Sequence, residues 1–211
     1  MALLAISLLF GCGAQSSAPP ENGQLQTSTP AITQTINAQN ITIHNAEYGY
    51  EVTYDPNYFT AVSDEEVKSM QSNKKMFVVG VLFPVAFGKN KVITFMIYYD
   101  ENSSVCPSSQ KGAEDTMNKM KDSLSVHNRK IQNSQYKEAT IDGKNGYEIS
   151  YDDVMYDSKT NTTTTFNSKG IFIAVNGKGC YILNSVSDKE LDENWKKELI
   201  NVVNSFKFID T

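Results

Sequence analysis

Downstream of a polar N-terminal segment, apolar and polar residues alternate with a period of two, a pattern that predicts β-strands. The first two strands are predicted at residues 41–43 and 48–54. Two strongly apolar runs follow at residues 76–87 and 92–99, and their lack of alternation predicts central strands covered on both faces of a sheet. Pro84 has no N–H to donate, so we expect it at a bulge or a sheet edge.

Three helices are predicted from capping signals and from apolar residues at helical spacing. Ser63 and Glu66 have the spacing of a capping box and begin a short helix. A second helix is predicted at residues 113–126. Ser187 and Glu190 repeat the capping-box spacing, which places the start of the last helix there. That helix carries an apolar stripe formed by Leu191, Trp195, Leu199, Val202 and Phe206.

Short turns rich in Gly, Asn and Lys separate the predicted strands. Residues 88–91 join the two apolar runs, and three more strands are separated by turns at 142–146, 158–161 and 176–179. Such connections join antiparallel neighbours, because parallel strands need a crossover of about a dozen residues or more. The predicted fold is therefore α+β, with a central antiparallel sheet of about six or seven strands flanked by helices.

Three segments carry a resemblance to a known family: residues 47–56, the hairpin around 146–151, and the closing helix at 203–206. They resemble the PsbP-like family, whose bacterial members include small lipoproteins. The resemblance covers nearly the whole domain and implies an α/β/α sandwich built on a central antiparallel sheet. Asp55 departs from the family pattern, in which Tyr-Pro is followed shortly by Trp, and the resemblance supplies no catalytic residues.

The N-terminal apolar stretch, residues 2–10, resembles a signal peptide and is too short to span a bilayer as a helix of about 20 residues. Residues 9–12 resemble a bacterial lipobox, in which a cysteine is acylated and becomes the new N-terminus. We therefore predict a lipoprotein signal peptide at residues 1–11 and lipid attachment at Cys12. No Lys or Arg precedes the stretch, so either the start is assigned a few residues late or the N-terminal amine alone supplies the charge. The alternative is an ordinary thiol at Cys12.

Residues 12–39 are predicted to be the lipidated cysteine followed by a flexible tether. The segment is rich in Ser, Thr, Gln, Asn and Pro and has almost no charge, so it buries too little surface to offset the entropy of ordering. A tether of this length spans about 30 Å. A helix there is the alternative. Residues 40–211 form the PsbP-like globular domain in this prediction, and the protein is extracytoplasmic, held at the cell membrane by the lipid on Cys12.

The formal net charge of −5 excludes several classes of partner. Nucleic-acid binding needs a basic surface, and electrostatic binding to anionic lipid needs clustered Lys and Arg. Membrane association therefore rests on the lipid anchor, and we predict no nucleic-acid partner. No Gly-rich phosphate loop and no zinc-spaced Cys/His cluster occurs in the sequence, so we predict no cofactor and no metal site.

Lipidation of Cys12 leaves Cys106 and Cys180 as an even pair. Export places them in a compartment where disulfides persist. Cys106 follows a central strand and Cys180 begins a later strand, so both fit at the same end of the sheet. We predict a disulfide between them, with two separate buried thiols as the alternative.

Candidate catalytic groups are sparse. His44 is expected to face solvent on a strand, and His127 to cap the C-terminus of a helix. Strand alternation places Asp153 and Asp157 on one face, where a weak divalent-cation site is conceivable, although a solvated strand end is the simpler interpretation. We therefore name no catalytic residue.

The 11 tyrosines exceed what a core of this size needs. They are explained either by packing and cross-strand pairing or by an adaptable recognition surface. Two functional classes remain open at this stage. The first is a binding or accessory module for a protein or envelope component, and the second is a hydrolase-like extracytoplasmic enzyme with an unrecognised site.

Overall fold

Two antiparallel sheets and three α-helices make up the part of the chain that the structure describes. The structure is a computed structural model and describes residues 33–36, 40–70, 76–85, 92–125, 129–176 and 178–209. Four predicted features lie outside the described residues: the signal peptide at residues 1–11, the lipid-attachment site at Cys12, the turn at 88–91 and the helix cap at His127.

The larger sheet confirms the predicted α+β architecture. Its strands are β4 (Phe59–Ala61), β5 (Met76–Pro84), β6 (Ile93–Asp100), β7 (Arg129–Ile141), β8 (Lys144–Asp157), β9 (Thr162–Val175) and β10 (Gly179–Asp188). They are ordered β4-β5-β6-β10-β9-β8-β7, and every neighbouring pair is antiparallel. Pro84 ends β5 opposite Phe59 of the edge strand β4, and the bulge of β5 falls between Val78 and Gly80.

The smaller sheet consists of β1 (Thr33–Ile36), β2 (Ile41–Asn45), β3 (Tyr50–Tyr54) and β11 (Lys207–Phe208), in the order β1-β2-β3-β11. Its first strand lies inside the segment predicted as tether, so that prediction is wrong for these four residues. Thr33 and Thr35 alternate with Gln34 and Ile36, and the antiparallel pairing with β2 gives their backbone the partners that a free tether lacks.

The first two helices begin or pack as predicted. Helix α1 (Asp64–Ser69) has a complete capping box, in which the Ser63 hydroxyl accepts from the Glu66 backbone N–H and the Glu66 carboxylate accepts from the Ser63 backbone N–H. Helix α2 (Gln110–Ser125) is longer than predicted at its N-terminal end. It buries Ala113, Met117 and Leu124 against the large sheet.

The predicted start of the third helix is wrong. Helix α3 (Glu193–Ser205) begins after Asp192, whose carboxylate accepts from the backbone N–H of Asn194. Ser187 instead belongs to β10, and Asp188 ties that strand to Val92 through its backbone N–H and its carboxylate. Strand pairing already satisfies these backbone groups, so the capping-box spacing is not used there.

Each face of the large sheet has its own cover. One face packs against α3 and the small sheet in the main core, whose largest fully buried side chains include Tyr50, Phe59, Phe95, Tyr181 and Phe206. The other face packs against α2 and α1 in two smaller clusters. The sheet is thus covered on both sides, as the apolar runs of β5 and β6 predict.

Candidate functional site

The face of the large sheet under α3 changes from apolar to polar along the strands. Ile171 of β9 and Leu183 of β10 are paired and buried in the main core. Two residues away on each strand, the same face presents Lys169 and Ser185, which are also paired. Side chains on one face of a strand recur every second residue, so the core facing α3 ends at this position and a polar surface begins.

Cross-strand register arranges this surface as two polar rows. The first row contains Gln135, Ser150, Lys169 and Ser185. The second row contains Asp152, Asn167 and Ser187. Ser185 and Ser187 are only 6% and 7% exposed, although both carry a hydroxyl group.

A groove of about 380 Å³ lies over the two polar rows and is called the α3 groove here. Helix α3 and the turn before it form its opposite wall through Leu191, Lys196, Leu199 and Ile200. Ile200 is 53% exposed, which is high for a large apolar side chain. The groove therefore has a polar floor and a largely apolar wall, and its volume falls within the range of about 300–1,000 Å³ for small-ligand sites.

The charged side chains in the groove are paired within the protein. Lys169 Nζ lies 3.4 Å from Glu148 Oε1, which also lies 3.1 Å from Lys137 Nζ. Lys196 Nζ lies 2.6 Å from Glu193 Oε1. These contacts leave neither lysine of the groove without a carboxylate.

Asp152 is paired in the same way. Its Oδ2 accepts from Asn133 Nδ2 at 2.7 Å and lies 3.2 Å from Lys189 Nζ. The hydrogen bond from Asn133 and the neighbouring Lys189 hold the pKa of the Asp152 carboxyl below its usual range. This carboxylate is therefore charged and already has donors at neutral pH.

The uncharged side chains are the ones left available. Those with no side-chain hydrogen bond to any described residue are Gln135, Ser150, Asn167, Ser185 and Ser187. No fully buried side-chain oxygen or nitrogen in the described ranges lacks a partner, so these groups open onto the groove. The groove thus offers hydroxyl and amide groups that both donate and accept hydrogen bonds.

The same geometry disfavours a serine nucleophile. Lys169 is the base nearest in register to Ser150 and Ser185, yet its ammonium group is engaged by Glu148. A general base must be able to take the proton of its nucleophile. The groove is therefore better suited to binding than to acyl transfer.

The predicted histidine and aspartate candidates do not come together. His44 lies on β2 with Nδ1 2.9 Å from Glu51 of β3, and it does not line the groove. Asp153 is not a solvated strand-end residue, because it is 1% exposed and accepts two hydrogen bonds from Arg129. Asp157 caps the following turn by accepting from the Lys159 backbone N–H. Within the described ranges, no three His, Cys, Asp or Glu side chains cluster as a metal site would require.

Most tyrosines with described contacts serve packing. Tyr50 is fully buried and donates to the carbonyl of Val79 at 2.6 Å, and Tyr181 packs against three aromatic rings, those of Tyr99, Phe206 and Phe208. Burial raises the pKa of Tyr98, and it raises the pKa of Tyr151 to about 12. Tyr156, in the β8–β9 hairpin, is exposed. These positions fit the packing interpretation better than a continuous recognition surface.

A disulfide joins Cys106 and Cys180, the pairing that the sequence predicted. Their Cα atoms are 5.6 Å apart, and both residues are buried between α2 and the sheet. Cys106 follows the helical turn Ser103–Val105, and Cys180, the second residue of β10, lies opposite Asp100. The bridge therefore fixes the segment leading into α2 to a central strand.

Comparison with solved structures identifies the fold. The chain matches the solution structure of cyanobacterial PsbP (CyanoP) from Synechocystis sp. PCC 6803 with a TM-score of 0.51 and 17% identity, over 88% of this chain and 98% of that chain. The fold is PsbP-like. At this identity the match establishes the fold of the PsbP-like domain and nothing about its activity.

Two further matches are looser. The yeast (Saccharomyces cerevisiae) Ran-binding protein Mog1p matches with a TM-score of 0.45 and 8% identity, over 85% of this chain and 97% of that chain. LpqN of Mycobacterium tuberculosis, which is involved in cell envelope biogenesis, matches with a TM-score of 0.35 and 12% identity, over 82% and 91%. No family model matches the sequence, and the comparison with curated proteins finds no significant relative. Among the described residues, no helix is long and apolar enough to cross a membrane.

Sequence reasoning missed the polar rows of the PsbP-like domain. A signal was present in β10, where Ser185 and Ser187 continue the inward series that Tyr181 and Leu183 begin. Two serines at core-facing positions indicate that the core ends there. Their alignment with Lys169 depends on cross-strand register, which one strand alone does not reveal.

Proposed function

We propose that this protein is an extracytoplasmic lipoprotein, anchored at Cys12, whose PsbP-like domain is a binding module for an envelope component. The observation that carries the binding role is the α3 groove, whose floor presents hydroxyl and amide groups that make no side-chain hydrogen bond to a described residue. The hydroxyls of Ser185 and Ser187 open onto the groove, where a ligand with matching donors and acceptors can take the place of water.

The disulfide supports the extracytoplasmic part of the proposal. Disulfides persist in oxidising compartments and are rare in the cytosol. Cys106 and Cys180 are bonded to each other, so the remaining cysteine, Cys12, is free for lipid attachment in the N-terminal sequence that resembles a lipobox. Two acyl chains on one residue provide the two signals that stable membrane attachment requires.

Anchoring is tested by expression in a bacterial host. The protein should partition into the detergent phase and incorporate labelled palmitate, and Cys12→Ala should abolish both. Cys106→Ala is the matched control, because it also removes a cysteine but lies in the folded domain. Unchanged partitioning and labelling in Cys12→Ala would remove the anchor from the proposal.

Binding is tested by site-specific photocrosslinking in intact cells. A benzophenone amino acid replaces Ile200, whose side chain is exposed on the apolar wall of the groove. We expect a discrete crosslinked species. A second change, Asn167→Trp, fills the floor and should suppress it, whereas Thr163→Trp, on the exposed hairpin outside the groove, should not. Absence of a crosslink, or equal crosslinking with both tryptophan variants, would contradict a binding role for the groove.

A further inference from the structure

The lining of the α3 groove restricts the charge of its ligand. Lys196 contacts Glu193, Lys169 shares Glu148 with Lys137, and Asp152 contacts Lys189. An anion or a cation entering the groove would have to compete with these internal pairs for its counter-charge. A neutral ligand leaves every pair intact and loses nothing to such competition.

The floor of the groove restricts the polarity of the ligand. Ser150 and Ser185 flank Lys169 on the neighbouring strands, and Ser187 lies beside Asn167 in the next row. An apolar ligand would cover these hydroxyl and amide groups without replacing their hydrogen bonds with water, and each group left without a partner would weaken binding. The ligand therefore needs several uncharged groups that both donate and accept.

The wall of the groove adds an apolar requirement. Leu199 and Ile200 lie across from the polar rows, and Ile200 is more than half exposed. Contact between this wall and an apolar surface of the ligand would remove that area from water. A ligand that fits has hydroxyl groups along one edge and C–H groups on a face.

We infer that the α3 groove binds a neutral saccharide. A sugar ring carries hydroxyl groups at its rim and C–H bonds on its faces, and it has no charge to set against the internal ion pairs. The cavity of about 380 Å³ lies in the lower part of the size range for small-ligand sites, so it suits one or two sugar units rather than a long chain. This inference rests on the proposed function, because it names the chemical class of the envelope component that the same groove would bind.

The inference is tested with the full-length lipoprotein purified in lauryldimethylamine oxide, a detergent without a sugar headgroup. The probes are maltose and N,N′-diacetylchitobiose, two neutral disaccharides, with inorganic phosphate as the anionic alternative. Saturation-transfer difference NMR measures saturable binding of each probe. We expect at least one disaccharide to bind saturably and phosphate not to bind.

Variants locate the binding. Ser185→Ala and Asn167→Ala each remove one neutral hydrogen-bonding group from the floor, so each should weaken disaccharide binding about fivefold. Thr163→Ala, outside the groove, should leave the affinity unchanged. The melting temperature of each variant is measured alongside, so that a folding defect is recognised as such and Ser150→Ala can replace the affected variant.

The outcomes separate this inference from the proposed function. Binding of neither disaccharide, binding of phosphate alone, or equal affinity in the groove variants and in Thr163→Ala would overturn the saccharide assignment. If the crosslink at Ile200 is still blocked by Asn167→Trp in that case, the groove remains a binding site for another class of ligand. If no disaccharide binds and the Ile200 crosslink is absent or is not blocked by Asn167→Trp, both the saccharide assignment and the binding role of the groove are overturned.

Discussion

The hydroxyl of Ser205, the last residue of α3, continues the backbone ladder of β3. It accepts from the backbone N–H of Thr53 at 2.8 Å and lies 2.8 Å from the carbonyl oxygen of the same residue. On that side, β3 pairs with β11 only at Tyr50 and Glu51. A side chain thus takes the place of a missing strand residue and fixes the C-terminus of α3 to the small sheet.

Replacing Ser205 by Ala should lower the free energy of unfolding by about 1–3 kcal/mol, because it leaves the backbone N–H of Thr53 without its acceptor. Urea denaturation measures the loss. Ser125→Ala is the control and should cost much less, since the Ser125 hydroxyl, at the exposed end of α2, contacts only the Asp122 carbonyl among the described residues. Equal losses in the two variants would show that the contact with Thr53 adds nothing.

The Cys106–Cys180 bridge should be detectable in the mature protein. After denaturation without reductant, mass spectrometry should find no alkylated thiol at either position, and reduction should make both alkylatable. The bridge spans 74 positions, for which the chain-entropy estimate gives a ceiling of about 4.5 kcal/mol. The double variant Cys106→Ala/Cys180→Ala should therefore melt at a lower temperature. Two alkylatable thiols without reduction would contradict the bridge.

Local sequence signals predicted the elements that depend on neighbouring residues. The capping box of α1 and the buried stripe of α2 were predicted because their partners lie three or four positions apart. The start of α3 was not predicted correctly. Ser187 and Asp188 are held in β10 by pairing with Asn167 and Val92, which are remote in sequence. A capping box competes with strand pairing for the same backbone groups, and at Ser187 the strand pairing forms instead of the cap.

The candidate site could not be predicted from the sequence either, because it depends on the register between strands. Ser150, Lys169 and Ser185 come from three strands, and only their alignment makes one row. Neither β8 nor β9 alternates cleanly enough to show which of its polar residues faces the core. The pattern of apolar and polar residues could therefore predict a sheet with helices on both faces, but not a groove at the end of its core.

The contribution of the buried ion pair between Arg129 and Asp153 to stability can be measured with single and double variants. Asp153 is 1% exposed, so Arg129→Met leaves a buried carboxylate without its partner and should cost about 3 kcal/mol of stability. The double variant Arg129→Met/Asp153→Val removes both charges and should be more stable than Arg129→Met alone. Denaturant unfolding of the single and double variants measures the coupling. If the double variant loses as much unfolding free energy as the two single variants together, Arg129 and Asp153 are not coupled.

The free energy of unfolding should fall as the pH rises above about 10, because the pKa of Tyr151 differs between the folded and unfolded states. Burial, followed by the charge of Asp153, raises the pKa of Tyr151 to about 12, above the value of about 10 for an unfolded chain. The unfolded state therefore releases the Tyr151 proton first. The stability that this group contributes is complete below about pH 10 and is lost as the pH rises towards 12.

The variant Tyr151→Phe removes that titration, so its unfolding free energy should decline less steeply between about pH 10 and 12, by up to about 1.4 kcal/mol per pH unit. Tyr156→Phe, on the same strand but exposed, is the matched control. Thermal denaturation across that pH range measures the slopes. Identical slopes in the wild type and Tyr151→Phe would mean that the hydroxyl of Tyr151 does not couple to folding.

Truncation tests where the tether ends. Strand β1 pairs with β2 from Thr33 to Ile36, so a chain that begins at Ala31 keeps this pairing and one that begins at Asn40 exposes the edge of β2. The chain beginning at Ala31 should have the same melting temperature as one beginning at Gly13. The chain beginning at Asn40 should melt a few degrees lower, because a domain of this size loses about 2–4 °C for each kcal/mol of stability. Equal melting of all three would mean that β1 adds no stability, and a higher melting temperature for the chain from Gly13 would mean that the upstream segment packs on the domain.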